Sequence, residues 1–412
     1  MSESQDNESD NKLSRRRLLA AAGGVAIMQT AASERVQVAA TEVPPDPTKV
    51  PGAPATPLGA RSPFEQPERR AFGGAVSFTP LQDLHGTITP ADLHFERHHA
   101  GIPTIDPERY ELLIHGMVER PMKFSLAELK RFPATTRICF IECSGNLSMW
   151  AKGKTTPQSV AGLMSQSEWT GVSLATLFRE VGVKQNASWF LAEGSDAAVM
   201  SRSIPVQKGL DDALIAYAQN GEAVRPAQGY PARLLLPGWE GNTSVKWLRR
   251  IELSDGPFQT REETSKYSDP IRDGNIRQFS FVMDARSLIT FPAYPVMLEP
   301  GWIEIRGLAW TGRGRIRAVD ISTDGGKTWA NAELQEPALA KAHTRFRYLW
   351  KWDGKPVTIA SRAHDETGYI QPTRAQLDDT RGTPAGPFAY HYNPITGWRI
   401  APDGTVLYQA DV

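Results

Sequence analysis

The sequence predicts an α+β protein in which a mixed domain is followed by an immunoglobulin-like β-sandwich. Between Phe78 and Leu253, short strand-like runs alternate with short helical ones. After about Asp269 the pattern alternates between apolar and polar residues with the period of two of half-buried strands. A chain of 412 residues is long enough for two or three domains of ordinary size.

Individual elements follow from local signals. Ser125 begins the run SLAELK and predicts a serine-capped helix over 125–130. Apolar spacing predicts a second helix over 172–181 that ends at Gly182. Asp324 and the two glycines after it predict a hairpin turn. Strands are predicted at 110–118, 138–141, 234–236, 302–310 and 316–322.

The first 75 residues are predicted to lie outside the folded body. Residues 14–19 read SRRRLL, and a short apolar run and an alanine-rich stretch follow, which predicts a twin-arginine signal peptide over 1–40 and export to the periplasm. The alternative is a disordered basic tail. Eight prolines between positions 41 and 70 predict a proline-rich arm over 41–75. The two domains then span 76–268 and 269–412.

Composition excludes several classes of protein. Lys and Arg number 46 and so do Asp and Glu, whereas a nucleic-acid-binding protein carries a basic excess. Two cysteines, Cys139 and Cys143, can form neither a disulfide scaffold nor a four-thiolate metal site. Walker, Rossmann, Gly-x-Ser-x-Gly and Cys-x-x-Cys-His patterns are absent from the sequence.

Cys143 is the sharpest local feature. It follows a predicted strand in the run IECSGN, where small residues leave its sulfur and nearby backbone N–H groups free to meet a ligand. A structural role is the alternative for Cys143, and Cys139 inside the strand is interpreted as a small buried hydrophobe. His94 and His98 have the i, i+4 spacing of a helical metal pair, with surface or hydrogen-bonding histidines as the alternative.

A third segment places cationic and hydroxyl side chains around a predicted buried strand. Arg233 lies in GYPARLLLPG, and Ser244 and Lys246 follow in SVKWL. Guanidinium, hydroxyl and ammonium groups together can bind an anionic group. Ordinary salt bridging at a domain edge is the alternative.

Taken together, these segments resemble the sulfite oxidase family of molybdenum enzymes over essentially everything after the arm. FERHH (95–99), IECSGN, SIPVQKGLDDALIAYAQNGE (203–222), GYPARLLLPG and SVKWL carry the resemblance. ECSGN followed by Trp150, SEWTGV (167–172) and ASRAHDETGYIQP (360–372) are most similar to the SoxC group, the molybdenum subunits of sulfane dehydrogenases. The resemblance implies a sulfite-oxidase-type molybdopterin domain, followed by a β-sandwich dimerisation domain.

The resemblance also implies roles for particular residues. Cys143 matches the thiolate that ligates molybdenum, and Arg97 and Tyr267 match residues beside the substrate. Gln228 stands where the eukaryotic pattern has a pterin-binding histidine. The residues implied to bind the Mo-molybdopterin cofactor are Phe95, Arg97, His99, Cys143, Asp196, Gln228, Arg233, Ser244 and Lys246.

The implied function is molybdenum-dependent oxidation of a sulfane sulfur bound to a carrier-protein cysteine during thiosulfate oxidation, by oxygen-atom transfer. The implied partners are a SoxD-like c-type cytochrome as electron acceptor and a SoxYZ-like sulfur carrier protein as substrate, with a homodimer inside a heterotetramer. Two departures bear on the substrate: His98 replaces an asparagine, and Leu147 and Ser148 stand where an arginine usually lies. The alternatives are a sulfite dehydrogenase acting on free sulfite, reduction of an oxidised sulfur compound, and a non-catalytic periplasmic binding protein.

Overall fold

The computed structural model describes residues 54–146, 151–271, 274–382 and 390–412. The predicted signal peptide, the first part of the predicted arm, and Leu147, Ser148 and Trp150 lie outside the described residues. In the part of the chain that is described, no helix combines the length and apolar character needed to cross a membrane.

The N-terminal half is built from short strands and helices. Its strands are β1 (Arg70–Phe72), β2 (Val76–Phe78), β3 (Glu96–Arg97), β4 (Glu111–Gly116), β5 (Met122–Ser125), β6 (Ala134–Glu142), β7 (Met164–Ser173), β8 (Trp189–Gly194), β9 (Ser201–Pro205), β10 (Leu214–Gln219), β11 (Glu222–Ala223), β12 (Arg233–Leu235) and β13 (Leu248–Ser254). Its helices are α1 (Leu126–Leu129), α2 (Pro157–Ala161), α3 (Leu174–Val181), α4 (Val206–Asp211) and α5 (Arg261–Ser265).

Three sheets organise these strands. One has the order β1-β2-β3, and another β5-β4-β13-β8-β9, in which β4 and β13 run parallel. The third has the order β11-β10-β7-β6, with β12 also paired to β10. This third sheet leads to two of the predicted site residues, since Cys143 follows β6 and Arg233 begins β12.

The helix ends follow from capping. Ser125 accepts a hydrogen bond from the Glu128 N–H in a capping box, which confirms the predicted serine cap of α1. Gly182 ends α3 in the left-handed conformation, as expected. The predicted start of this helix at 172 is wrong by two residues. Val172 and Ser173 pair with Ile215 and Leu214 on β10, and this ladder keeps them in β7.

Part of the predicted arm belongs to the folded body. β1 pairs with β2 in register from Arg70–Phe78 to Phe72–Val76. Gln158 on α2 donates one hydrogen bond to the Glu68 carbonyl (2.9 Å) and another to the Phe78 carbonyl (2.7 Å). Residues 68–75 are therefore anchored to the N-terminal half.

The C-terminal half forms a β-sandwich, which confirms the predicted fold class. Its elements are β14 (Asp269–Pro270), β15 (Ile276–Arg277), β16 (Arg286–Phe291), β17 (Gly301–Trp310), β18 (Ile316–Ser322), β19 (Ala330–Asn331), β20 (Glu333–Gln335), β21 (Thr344–Trp352), β22 (Val357–Asp365), α6 (Arg374–Arg381), β23 (Gly397–Ile400) and β24 (Val406–Gln409). The two sheets have the orders β16-β17-β21-β20 and β19-β18-β22-β23-β24. The buried side chains between them include Ile305, Phe346, Ile359 and Trp398.

The predicted turn after β18 depends on Asp324. Its carboxylate accepts hydrogen bonds from the backbone N–H groups of Lys327 (3.0 Å) and Thr328 (2.9 Å). Together with the Thr328 hydroxyl, these donors lower the pKa of Asp324 to about 2. The turn leads into β19, which pairs antiparallel with β18.

The two halves share a hydrophobic core. Phe140, Val160 and Met164 of the N-terminal half pack in the same buried cluster as the inner residues of the sandwich. Residues 62–412 form one compact unit. The predicted domain boundary at 268–269 stays a prediction, and it falls at the first residue of β14.

Candidate active site

One partly open cavity collects the residues singled out from the sequence. Its walls come from the segment after His94, the end of β6, the 196–200 loop, the segment around β12 and the second residue after α5. The predicted residues that line it are Phe95, Arg97, His99, Cys143, Asp196, Gln228, Arg233, Ser244, Lys246 and Tyr267. The structure thus brings all of them together, while their individual roles stay predictions.

Cys143 lies in a tight turn directly after β6. Its N–H donates to the Leu163 carbonyl (3.0 Å), and its own carbonyl accepts from the Asn146 N–H (2.9 Å). Burial raises the pKa of the thiol, and the Gly145 N–H and the charge of Arg97 oppose that rise. This thiol is free, lines the cavity and is soft enough to ligate a metal of the molybdenum type.

Cys139 lies within β6 itself, in a different environment from Cys143. It is buried beside Phe95, Trp169 and Leu214, and burial raises the pKa of its thiol to about 12. It behaves as the small buried hydrophobe expected from the sequence.

We expect Cys139→Ser to lower the free energy of unfolding by about 1 kcal/mol, in the common range of single substitutions. The hydroxyl replaces a sulfur in an apolar cluster without removing any group from the cavity. Chemical denaturation followed by circular dichroism measures the change. A loss above about 4 kcal/mol would contradict it, because changes of that size need a larger structural defect.

The segment over 95–99, which contains β3, forms one wall of the cavity. The Phe95 N–H donates to Ser165 Oγ (2.9 Å), and the Phe95 carbonyl accepts from Gln228 Nε2 (2.8 Å). Arg97 donates to the His98 carbonyl at 2.5 Å. Burial and the charge of Arg97 lower the pKa of His99 to about 4, so its imidazole is neutral at pH 7.

The cationic side chains are held by backbone carbonyls. Arg233 donates to the carbonyls of Gln228 (2.9 Å) and Ser244 (2.7 Å), and its guanidinium lies 5.0 Å from the centre of the Trp169 ring. Lys246 donates to the carbonyls of Arg97 (3.0 Å) and Ala227 (2.9 Å). Burial, with the charge of Arg233, lowers the pKa of Lys246 to about 7.

Two polar side chains of the cavity accept hydrogen bonds from backbone groups. Ser244 Oγ accepts from the Leu236 N–H (3.0 Å), and this fixes the segment between β12 and Lys246. The Asp196 carboxylate accepts from the Met200 N–H (3.0 Å) and retains acceptor capacity toward the cavity.

These contacts fit an anionic cofactor. Among the residues that the structure describes, none places a carboxylate within 4.0 Å of the charged nitrogens of Arg97, Arg233 or Lys246. Arg233 is buried, whereas Arg97 and Lys246 are half-buried. Removing such cations from water without a carboxylate partner is costly unless a ligand supplies negative charge. Molybdopterin, when bound, would supply that negative charge through its dithiolene and phosphate groups, and Arg97, Arg233 and Lys246 would hold it in the cavity that Cys143 lines.

Tyr267 closes the cavity on the side of the C-terminal half. Its hydroxyl oxygen lies 3.3 Å from His99 Nε2, and its ring lies 5.2 Å from the Tyr390 ring and 5.0 Å from the Arg202 guanidinium. Burial raises its pKa, so the phenol remains protonated and can donate a hydrogen bond.

Sequence reasoning missed two buried carboxylates beside the Cys143 turn. Glu240 binds Arg202 (2.8 Å) and contacts His391 (3.5 Å) and Asn242 (2.9 Å), and Asn242 in turn donates to Ser144 Oγ (3.0 Å). The Glu240 contact raises the pKa of His391 against the effect of its burial. Glu142 is the second carboxylate, and an acidic residue ending the apolar run ICFI was its only sequence signal.

His94 and His98 do not form the helical metal pair that their spacing suggested. Glu96 and Arg97 form β3, so His94 and His98 do not lie on one face of a helix. No group of three or more potential metal ligands of the types His, Cys, Asp and Glu occurs within the described ranges. His94 lines the cavity instead, and burial lowers its pKa to about 3.

Comparisons with known proteins agree with this chemistry. The family model "Oxidoreductase molybdopterin binding domain" matches residues 99–262, and "Mo-co oxidoreductase dimerisation domain" matches residues 277–389. The crystal structure of the sulfane dehydrogenase SoxCD from Paracoccus pantotrophus superposes with a TM-score of 0.85 and 42% identity, covering 90% of this chain and 98% of that one.

Curated relatives include the sulfite oxidase of Gallus gallus, which is 30% identical over 313 residues, covering 69% of this chain and 68% of that protein. An NADH nitrate reductase of Ulva prolifera is 30% identical over 333 residues, covering 70% of this chain and 38% of that protein. The chain therefore spans only part of the length of these relatives.

The class of this protein is that of the molybdopterin-dependent oxidoreductases. Three observations define it: the cavity contains one thiol, its cations have no carboxylate partner among the described residues, and the molybdopterin domain model matches. The chain belongs to the sulfite oxidase family of molybdenum enzymes, its cofactor is Mo-molybdopterin, and its chemistry is molybdenum-dependent sulfur oxidation. The alternative of a non-catalytic binding protein is set aside.

Proposed function

We propose that the chain oxidises a sulfane sulfur attached to a cysteine of a SoxYZ-like carrier protein, as a SoxC-type subunit. Electrons would pass to a SoxD-like c-type cytochrome, in a heterotetramer that contains two copies of this chain. The observation that carries the proposal is the 42% identity to the sulfane dehydrogenase SoxCD over 98% of the matched chain. The matched dimerisation domain supports the homodimer.

The residues that line the cavity have different proposed roles. Bound Mo-molybdopterin supplies the two-electron redox centre and the oxygen-atom transfer. Cys143 would ligate molybdenum, while Arg233, Lys246, Asp196 and Ser244 would hold the polar groups of the pterin. Phe95, His99 and Gln228 complete the wall around it.

Arg97 and Tyr267 suit the recognition of a sulfur oxyanion. Arg97 has five N–H donors, and the backbone of His98 takes one of them at 2.5 Å. Its remaining donors and the protonated hydroxyl of Tyr267 can stabilise negative charge that develops on the product.

The aromatic character of this side favours a sulfane over a free dianion. Tyr390 packs against Tyr267, and neither phenol carries a charge at pH 7, since an ordinary tyrosine titrates near pH 10. A sulfane held on a carrier cysteine makes a smaller demand for positive charge than free sulfite does.

Direct oxidation of free sulfite is the second candidate. The 30% identity to a sulfite oxidase and the Arg97 guanidinium in the cavity favour it. Both candidates use the same cofactor, so the substrate decides between them.

We expect the purified holoenzyme to reduce a c-type cytochrome with the carrier-bound sulfane as substrate, and to turn over free sulfite and thiosulfate far more slowly. Assays with the three substrates at equal concentration measure this. High activity with free sulfite and none with the loaded carrier would overturn the proposed substrate.

Metal analysis of the same sample should give molybdenum, and stoichiometric zinc or copper in its place would contradict the cofactor.

For location we propose the periplasm, reached by the twin-arginine route. The SRRRLL run at 14–19 supports it, because that route moves folded cargo and so suits a protein that receives its cofactor before export. The test is to fractionate cells that produce either the wild-type chain or the double variant with Arg15→Lys and Arg16→Lys, and to compare the amount of each chain in the periplasm. Unchanged export of the double variant would overturn the proposed route.

A further inference from the structure

The residue before Cys143 is tied to the β-sandwich. Glu142 is only 1% exposed, and its carboxylate accepts three side-chain hydrogen bonds. Asn146 Nδ2 (2.9 Å) and Arg286 Nη1 (3.1 Å) donate to Oε1, and Trp310 Nε1 (2.7 Å) donates to Oε2. Arg286 begins β16 and Trp310 ends β17, so two of the three donors belong to the C-terminal half.

The same guanidinium holds the other end of the turn. Arg286 also donates to the Asn146 carbonyl (2.7 Å), so one side chain binds both residue 142 and residue 146. Asn146 closes the turn from inside, because its Oδ1 accepts from the Leu163 N–H (3.1 Å) and its Nδ2 donates to the Ala161 carbonyl (3.0 Å). Cys143 lies within this bracketed turn.

Stability alone does not account for such a network. A buried ion pair is often no more stabilising than well-packed apolar side chains of similar volume. What it provides is direction, since every donor fixes the position of one carboxylate oxygen. Groups that orient the ligands of a metal commonly change its affinity or activity by 10–100-fold when they are lost.

We propose that Arg286 and Trp310 are positioning residues, which act through Glu142 to set the orientation of the Cys143 sulfur toward the cofactor. The inference rests on the proposed role of Cys143 as the metal ligand. In this arrangement the sandwich supports the active site through the turn that carries Cys143. No residue of the sandwich needs to touch the cofactor for this effect.

The test compares two tryptophan substitutions in the holoenzyme. Trp310→Phe removes the single N–H donor to Glu142. Trp398→Phe is the matched control, because Trp398 is equally buried in the sandwich and its Nε1 donates to the Ile289 carbonyl (3.0 Å), away from the turn. Partial reduction with less than one equivalent of dithionite would populate the one-electron-reduced metal, whose paramagnetic resonance signal responds to the orientation of the sulfur ligand.

We expect Trp310→Phe to shift the g-values of this signal and to accelerate the loss of molybdenum on dialysis about tenfold. Trp398→Phe should keep the wild-type signal and rate, although both variants lower the melting temperature. Wild-type g-values in Trp310→Phe, or equal shifts in both variants, would overturn the proposal.

Arg286→Lys provides a second variant if Trp310→Phe does not fold. It keeps the charge but replaces the guanidinium fork that spans residues 142 and 146, and the same shift is expected. Failure of this inference is distinguishable from failure of the ligand assignment. If Trp310→Phe or Arg286→Lys keeps the wild-type signal while Cys143→Ser loses the metal, only the positioning role is rejected. If Cys143→Ser retains the metal, the assignment of Cys143 as the metal ligand is rejected.

Discussion

Replacing Cys143 with serine is expected to abolish turnover and to remove most of the molybdenum while the chain still folds. A serine hydroxyl is a hard, protonated oxygen, whereas molybdenum in this cofactor needs a soft thiolate. We expect activity to fall by at least about 100-fold, because loss of groups that only orient a metal ligand already costs 10–100-fold. Metal analysis, turnover and circular dichroism of the same preparation measure the three effects.

Cys139→Ser is the matched control for this experiment, since it makes the same chemical change four positions earlier on β6. It should retain the metal and most of the activity, because Cys139 does not line the cavity. Full activity in Cys143→Ser, or equal losses in both variants, would contradict the assignment of Cys143.

Arg233→Met is expected to give the second large effect, on both stability and cofactor content. The guanidinium joins the Gln228 and Ser244 carbonyls, and each hydrogen bond from a charged group contributes about 1.5–3 kcal/mol. Relief from burying a charge offsets part of this, so we expect a loss of about 3 kcal/mol in the free energy of unfolding. Removing one of the unbalanced cations should also lower the content of bound molybdopterin several-fold. Denaturant titration and pterin fluorescence after release measure the two effects.

Arg225→Met serves as its control on the neighbouring loop. Arg225 pairs with Glu222 at the surface, where such pairs contribute about 0–1 kcal/mol. The Arg225→Met variant should therefore keep the pterin content of the wild type. A pterin content in Arg233→Met equal to that of the wild type would contradict a role for Arg233 in cofactor binding.

Much of the fold was predictable because its signals are local. The serine cap of α1 and the strand over 316–322 are each specified by a few consecutive residues, and the structure has both. The start of α3 was not predictable in this way. Val172 suits a helix by its spacing, but pairing with Ile215, far along the chain, decides its conformation.

Some residues of the candidate site also have local sequence signals, whereas the role of others depends on distant parts of the chain. Cys143, Arg97 and Lys246 stand in short motifs, so the sequence points to them directly. Glu142 also stands in a motif, but its role depends on Arg286 and Trp310, which belong to another half of the chain. A buried carboxylate predicts that some donor exists, and only the three-dimensional structure says which one.

The distance along the chain between Glu142 and its donors has a consequence for synthesis. Trp310 follows Glu142 by 168 residues and Arg286 follows it by 144. At a translation rate of about 5–20 residues per second, Trp310 is added roughly 8–34 s after Glu142. For roughly the first 7–29 s of that interval the carboxylate has no sandwich donor, because Arg286 has not yet been added. If these donors position the Cys143 turn as proposed, that turn reaches its final form only after the last residue of β17 has been synthesised, well after the strand that leads to it.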